Sequence, residues 1–282
     1  MELLYYPILC GLVTLLALFV FGPIFLLLKR VSLDGEEFKK RWGTYTLLFL
    51  AGALSPIVVL PLELLTTRVL DPDPSAVGGC FLEAFFVAAF VEESVKYAIL
   101  AVFALRSKRF TRYARCLAFA AFISLGFAFV ENVLYVFTTG GDSLETAFLR
   151  ALAAIPGHFI DSIFMGYFFA LAILGKTKGV NILRTPNGFA DASDQRKKNF
   201  WKYLALSYLA PFAAHGVYDF LLMALNTEAE WVGMGLVLWL GLLIGGFKLA
   251  LYCCDEFKAK DAKIQEKEKR ERDERNGIRY YY

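Results

Sequence analysis

The residues of this chain that could do chemistry are few, and they sit in apolar surroundings. Glu92 and Glu93 are adjacent, with Lys96 one helical turn on, and Glu131 is followed by Asn132. His158 precedes Asp161 by three positions, and His215 precedes Asp219 by four. The chain has only these two histidines. A carboxylate can take a proton from water, an imidazole can polarise a carbonyl or bind a metal, and an acid one turn away can orient that imidazole. The candidate catalytic residues are therefore Glu92, Glu93, His158 and His215. Lys96, Glu131, Asn132, Asp161 and Asp219 stand ready to support them. Adjacent helical residues point about 100° apart, so Glu92 and Glu93 need not share a role. Lys96 can neutralise one of them and leave the other in an apolar setting that suits a general base. The sequence leaves open which of the two that is.

The elements that must position these residues are membrane-spanning helices. Of the 282 residues, 57% are hydrophobic and 16% aromatic, and the mean hydropathy is +0.51. The apolar residues run continuously rather than periodically, which excludes an ordinary soluble domain. A net charge of +3, with the basic residues confined to short blocks, gives no footprint for nucleic acid. A helix needs about 20 mainly apolar residues to cross a bilayer. That length predicts about seven spans, over 3–28, 43–65, 78–105, 113–138, 147–174, 200–225 and 230–254. The first run is too long for a signal peptide and lacks a basic start, so it is kept as a span. The expected fold is an all-α polytopic bundle: a membrane-embedded domain over 1–254, with the motif-bearing core at 78–225, and a charged tail over 255–282. The five cysteines have no ligand spacing and read as apolar packers, with Cys253 and Cys254 conceivable acylation sites. The tail mixes both charge signs and reads as a solvated helical continuation of the last span.

Orientation follows from the loops. Lys and Arg crowd the segments after the first, third and fifth spans, whereas the alternate loops carry Asp71, Asp73, Asp142, Glu145, Glu228 and Glu230. This asymmetry places the N-terminus outside and the C-terminus in the cytoplasm. On that topology Glu92, Glu131, His158, His215 and Asp219, from four helices, share one layer roughly 10–20 Å below the outer surface. Ionisable groups inside a membrane are costly unless paired or facing a cavity, so a shared layer points to one functional site.

These residues also lie in strings that resemble a known family. Phe90-Val91-Glu92-Glu93-Ser94-Val95-Lys96-Tyr97 looks like the EExxK motif of the PrsW family of intramembrane proteases. Gly126-Phe127-Ala128-Phe129-Val130-Glu131-Asn132 resembles its FxxxEN motif. Arg150 to His158, continuing to Gly166 and Tyr167, resembles the third motif, and His215-Gly216-Val217-Tyr218-Asp219-Phe220 the fourth, HxxxD. The four occur in order over about 80–220. That family is similar in turn to the CAAX-prenyl endopeptidase and bacteriocin-processing superfamily (CPBP), from which this chain departs at Lys96, Glu131 and Asp219. The resemblance implies a bacterial plasma-membrane endopeptidase that cuts a membrane-anchored, single-span protein in the bilayer, such as an anti-sigma factor at its first cleavage site. One glutamate would activate water, and a histidine would assist the carbonyl or oxyanion. In the superfamily the first glutamate is the base, yet Lys96 also stands i+4 from Glu92, which keeps Glu93 in contention. The resemblance also implies a metalloprotease, although the chain has no HExxH. Zinc would be assembled across helices from His158, His215 and one or two of Glu93, Glu131 and Asp219. Metal-free glutamate catalysis is the alternative.

Other chemistries leave other marks. A rhomboid-type serine enzyme needs GxSG, which is absent. A presenilin-type aspartyl enzyme would have to pair Asp219, in its Tyr218–Asp219 step, with Asp161. A proton-coupled transporter would bury similar residues but would show internal repeats. An inactive relative that only binds membrane helices would keep the cavity and not the full residue set.

Overall fold

The computed structural model describes residues 22–31, 35–107, 109–138, 150–175, 181–183, 187–225, 227 and 232–276. Most of the first expected span, and the loops holding Asp142, Glu145, Glu228 and Glu230, lie outside these residues. The described chain is helical, with no strand among its residues. In order it forms α1 (Gly22–Val31), α2 (Gly35–Leu54), α3 (Pro56–Leu70), α4 (Val77–Leu82), a π-helical stretch (Glu83–Ala89), α5 (Phe90–Arg106), α6 (Tyr113–Thr138), α7 (Ala154–Leu174), α8 (Asp194–Ala224) and α9 (Val232–Arg275).

Four stretches are long and apolar enough to cross a bilayer: Lys39–Leu70, Tyr113–Tyr135, Arg150–Leu174 and Met234–Arg275. The expected spans over 78–105 and 200–225 are helical too, as α4 through α5 and as α8, but these are the helices that carry site residues. Glu83, Glu92, Glu93 and Lys96 on one of them lower its apolar character, as a polar site inside a bundle must. α6 and α7 form the centre of the bundle, with 72% and 83% of their most apolar stretches buried, against 28% for α2–α3 and 11% for α9.

α2 lies close along α6. A Cβ at Gly126 would come 2.1 Å from the Phe49 carbonyl oxygen, so only glycine permits this approach, as is common where helices meet in lipid. α2 and α3 together make the second span, broken at Ser55. Its hydroxyl donates to the Gly52 carbonyl at 2.6 Å, and Pro56 and Pro61 supply no N–H of their own to α3.

α9 runs unbroken for 44 residues, about 66 Å, straight through the expected start of the tail. Beyond the expected end of the span it stays docked for several turns rather than simply solvated. Phe257 is fully buried and stacks on Tyr167 with centroids 4.4 Å apart. Asp261, 3% exposed, accepts hydrogen bonds from the Tyr113 and Ala114 N–H groups at 3.0 and 2.8 Å. It thereby caps α6, whose first N–H groups have no partner within the helix. Cys253 and Cys254 are turned into the core, so neither offers the exposed thiol that acylation needs.

Candidate active site

The site is assembled by α5, α6, α7 and α8 at the buried end of a cavity of about 940 Å³. The π-helical stretch immediately precedes the paired glutamates. Its wide turn carries the Phe90 N–H to the Phe85 carbonyl, and such turns recur at functional sites. It presses the Phe85 ring against α8 at Gly216, where a Cβ would lie 2.5 Å from the ring. The glycine next to His215 is what lets these two elements close on each other.

Lys96 is the hub. Its ammonium donates to Glu92 Oε2 at 2.8 Å and to Glu93 Oε1 at 2.9 Å, lies 3.3 Å from His158 Nδ1, and sits 4.1 Å over the Phe127 ring. The expectation that Lys96 neutralises one glutamate and frees the other is corrected: its long stem reaches back to both. The glutamates differ instead in what they face. Glu92 lines the cavity, and its Oε1 meets no hydrogen-bond donor among the described residues. Glu93 is fully buried and bonds to His215 Nδ1 at 2.9 Å, with its Oε2 left without a donor.

The histidines do not pair as their spacing suggests. Asp161 is not the partner of His158; it lies 3.8 Å from His215 Nδ1. His158 Nε2 meets Glu131 Oε2 at 2.7 Å across the α6–α7 interface, where the Ser124 hydroxyl also donates to the His158 carbonyl at 3.0 Å. Glu131 in turn accepts from Arg150 Nη2 at 2.9 Å, and Arg150 Nε donates to Asn132 Oδ1 at 2.8 Å. The i,i+4 pair is formed as expected, with His215 Nε2 at 3.1 Å from Asp219 Oδ2. Asp161 and Asp219 therefore approach opposite nitrogens of one imidazole, so the two-aspartate dyad is not formed. The histidine rings stand 5.6 Å apart, nearly perpendicular.

A metal fits the donors present. One ligand atom each from Glu92, His158 and His215 comes within 4.8 Å of the others, and so do atoms of Glu93, Asp161 and His215. Both imidazoles have Nε2 held by an outer carboxylate, the way metal-binding histidines are commonly oriented. Glu131 and Asp219, expected among the ligands, here stand behind the histidines. Glu92, absent from that expectation, stands with them.

Sequence reasoning passed over Glu63 and gave Arg150, Tyr135 and Tyr218 no role, yet all four line the cavity. An acid inside the apolar run of the second span was the available signal for Glu63. The tyrosines carried none, because aromatic residues abound in every span.

A family model described as PrsW family intramembrane metalloprotease matches residues 40–245. The chain is 31% identical over 222 residues to a protein named Protease PrsW from Halalkalibacterium halodurans, covering 77% of this chain and 89% of that one. It is 29% identical over 206 residues to the Oceanobacillus iheyensis protein of that name, covering 73% and 82%. To the one from Clostridioides difficile it is 30% identical over 198 residues, covering 69% and 72%. No solved structure gives a significant match.

Proposed function

The chain belongs to the PrsW family of intramembrane metalloproteases, and we propose that it cuts a single-span membrane protein within the outer half of the bilayer, with Glu92 as the base. It is a multi-pass membrane protease of the plasma membrane. The observation that carries the proposal is the convergence of Glu92, His158 and His215, from three helices, at the buried end of one cavity. The topology read from Lys and Arg in the loops puts this cavity on the extracytoplasmic side.

Lys96 fixes one oxygen of Glu92 and leaves the other facing the cavity, where it can accept a proton from the attacking water. Because Glu131 accepts from His158 Nε2, that ring keeps Nδ1 as an inward-facing acceptor. His215 is clamped between Glu93 and Asp219 and turned to the same point. A metal held by Glu93, Asp161 and His215 would supply Lewis-acid polarisation of the scissile carbonyl and leave Glu92 free to act as the base. The burial of Glu92, His158 and His215 strengthens each of these interactions.

The test is cleavage by the purified protein in detergent, against a panel of single-span helices, with and without a chelator and alongside metal analysis. Cleavage by the native protein and its loss in Glu92→Gln are expected. An intact panel, from a well-folded native protein, would sink the reading.

A further inference from the structure

The cavity is lined by more carboxyl groups than its reaction needs. Glu63, Glu83, Glu92, Glu131, Asp161 and Asp219 line it, with Glu93 just behind. The permanent cations among them are Lys96 and Arg150, and both are already committed to carboxylates. Asp161, only 4% exposed, forms no hydrogen bond among the described residues, and its nearest cationic candidate is 3.8 Å away. Glu63 is the more informative case. It lies on α3, half-buried against the cavity and bonded to no described residue. It stands about two turns from the outer end of its helix, roughly 10 Å, within the layer of the catalytic cluster. Its neighbours on the cavity wall, Val59, Leu60 and Leu64, are apolar. A carboxyl group there either takes up a proton or is met by a cation that something else brings, and the second is what a substrate side chain can do.

Resting on the protease reading above, we propose that Glu63 is a specificity-determining residue that receives a lysine or arginine side chain of the substrate segment lying across the cavity. The substrate class is a membrane segment with a basic residue in its outer half, near the bond to be cut. The long apolar stem of such a side chain suits Leu60 and Leu64, and its charged head suits Glu63. Leu60, Glu63 and Leu64 are spaced three and four apart on α3 and all line the cavity, so a helix lying across it meets them together.

The experiment uses the purified full chain with a library of single-span test helices. Each carries one Lys, Gln or Glu at successive positions of the outer half, and products are read by mass spectrometry. The native enzyme should prefer Lys-bearing members by at least about tenfold. Glu63→Gln should flatten that preference, and Glu63→Lys should transfer it to the Glu-bearing members. Thermal unfolding of each variant in detergent separates a recognition effect from misfolding, and Glu63→Gln alone decides the matter if Glu63→Lys does not fold. The same ranking of the library by native protein and Glu63→Gln overturns the proposal while leaving the protease reading intact. Cleavage of no member by the native enzyme overturns both.

Discussion

The two histidines belong to halves of the site with opposite electrostatic character. His158, on α7, is enclosed in a balanced chain in which Lys96 stands at Nδ1, Glu131 at Nε2, and Arg150 on the far side of Glu131. His215, on α8, meets only acids: Glu93 and Asp161 toward Nδ1 and Asp219 at Nε2. One ring has a donor on one side and an acceptor on the other, which fixes a neutral tautomer by itself. The other has acceptors on both sides, a pattern that a proton or a metal ion completes. Two identical side chains, 5.6 Å apart, thus sit in different surroundings, which supports the proposal that His158 is a fixed part of the frame and that His215 holds an added cation.

The sharpest way to break this comparison lies in the glutamates that feed the halves. Glu92 faces the cavity and Glu93 is sealed behind it. Glu92→Gln should lower kcat by at least about 100-fold with little change in thermal stability, since a general base is removed and its shape kept. Glu93→Gln replaces a carboxylate that holds Lys96 and His215 together, so it should also cost stability, about 1–3 kcal/mol. If the two variants lost stability alike and activity alike, the division between a working and a structural glutamate would be wrong.

A milder test sets the outer carboxylates against each other. Removing either should reduce activity about 10–100-fold, the usual cost of losing a group that orients a metal-binding histidine. Glu131→Gln also strips Arg150 of its counter-charge, so its unfolding temperature should fall. Asp219 has no described partner besides His215, so Asp219→Asn should spare stability and lower the metal content of the purified protein instead. Equal losses of metal with Glu131→Gln would erase the asymmetry between the halves.

How much of this was legible in sequence depends on which direction a contact runs. The helical bundle and the buried acids and histidines followed from hydropathy and spacing, which are local properties of the chain, whereas the four motif strings were read from the resemblance to a family. The pair His215–Asp219 was legible because it closes within one helix. The pair His158–Asp161 was equally well spaced and does not form, because Glu131 reaches His158 from a neighbouring helix at 2.7 Å. Spacing records which pairs a helix allows and is blind to what the next helix offers. Lys96 bridging both glutamates, Glu63 on the cavity wall and Arg150 behind Glu131 are all outcomes of packing of that kind. So is the π-helical stretch, whose residues Glu83–Ala89 carry no distinguishing pattern before Phe85 is seen against Gly216.

The smallest expected effect comes from the far end of the bundle, where α9 leans on the helices of the His158 half. Asp261 caps α6, the helix that carries Glu131, and the adjoining Phe257 stacks on Tyr167 of α7. Asp261→Ala should cost about 1 kcal/mol, the usual value of a lost cap, and change kcat by no more than a few-fold, because the active site lies at the other end of α6. A dependence on pH comes with it. Burial pushes the Asp261 carboxyl above the ordinary carboxylate range, against the pull of the Tyr113 and Ala114 N–H groups. A carboxyl raised in the folded state favours folding most when protonated. Its contribution is full below the unfolded-state value, is lost as pH rises through the folded-state value, and stays flat above it. Unfolding temperatures of native protein and Asp261→Asn, compared across that acid range, should therefore show the native protein losing ground as pH rises and holding a constant offset near neutrality. Because Asn cannot ionise, its own curve serves as the reference. A native curve that gained stability with rising pH relative to Asp261→Asn would mean that the cap hydrogen bonds outweigh burial, and the docked tail would then be held by the ionised aspartate.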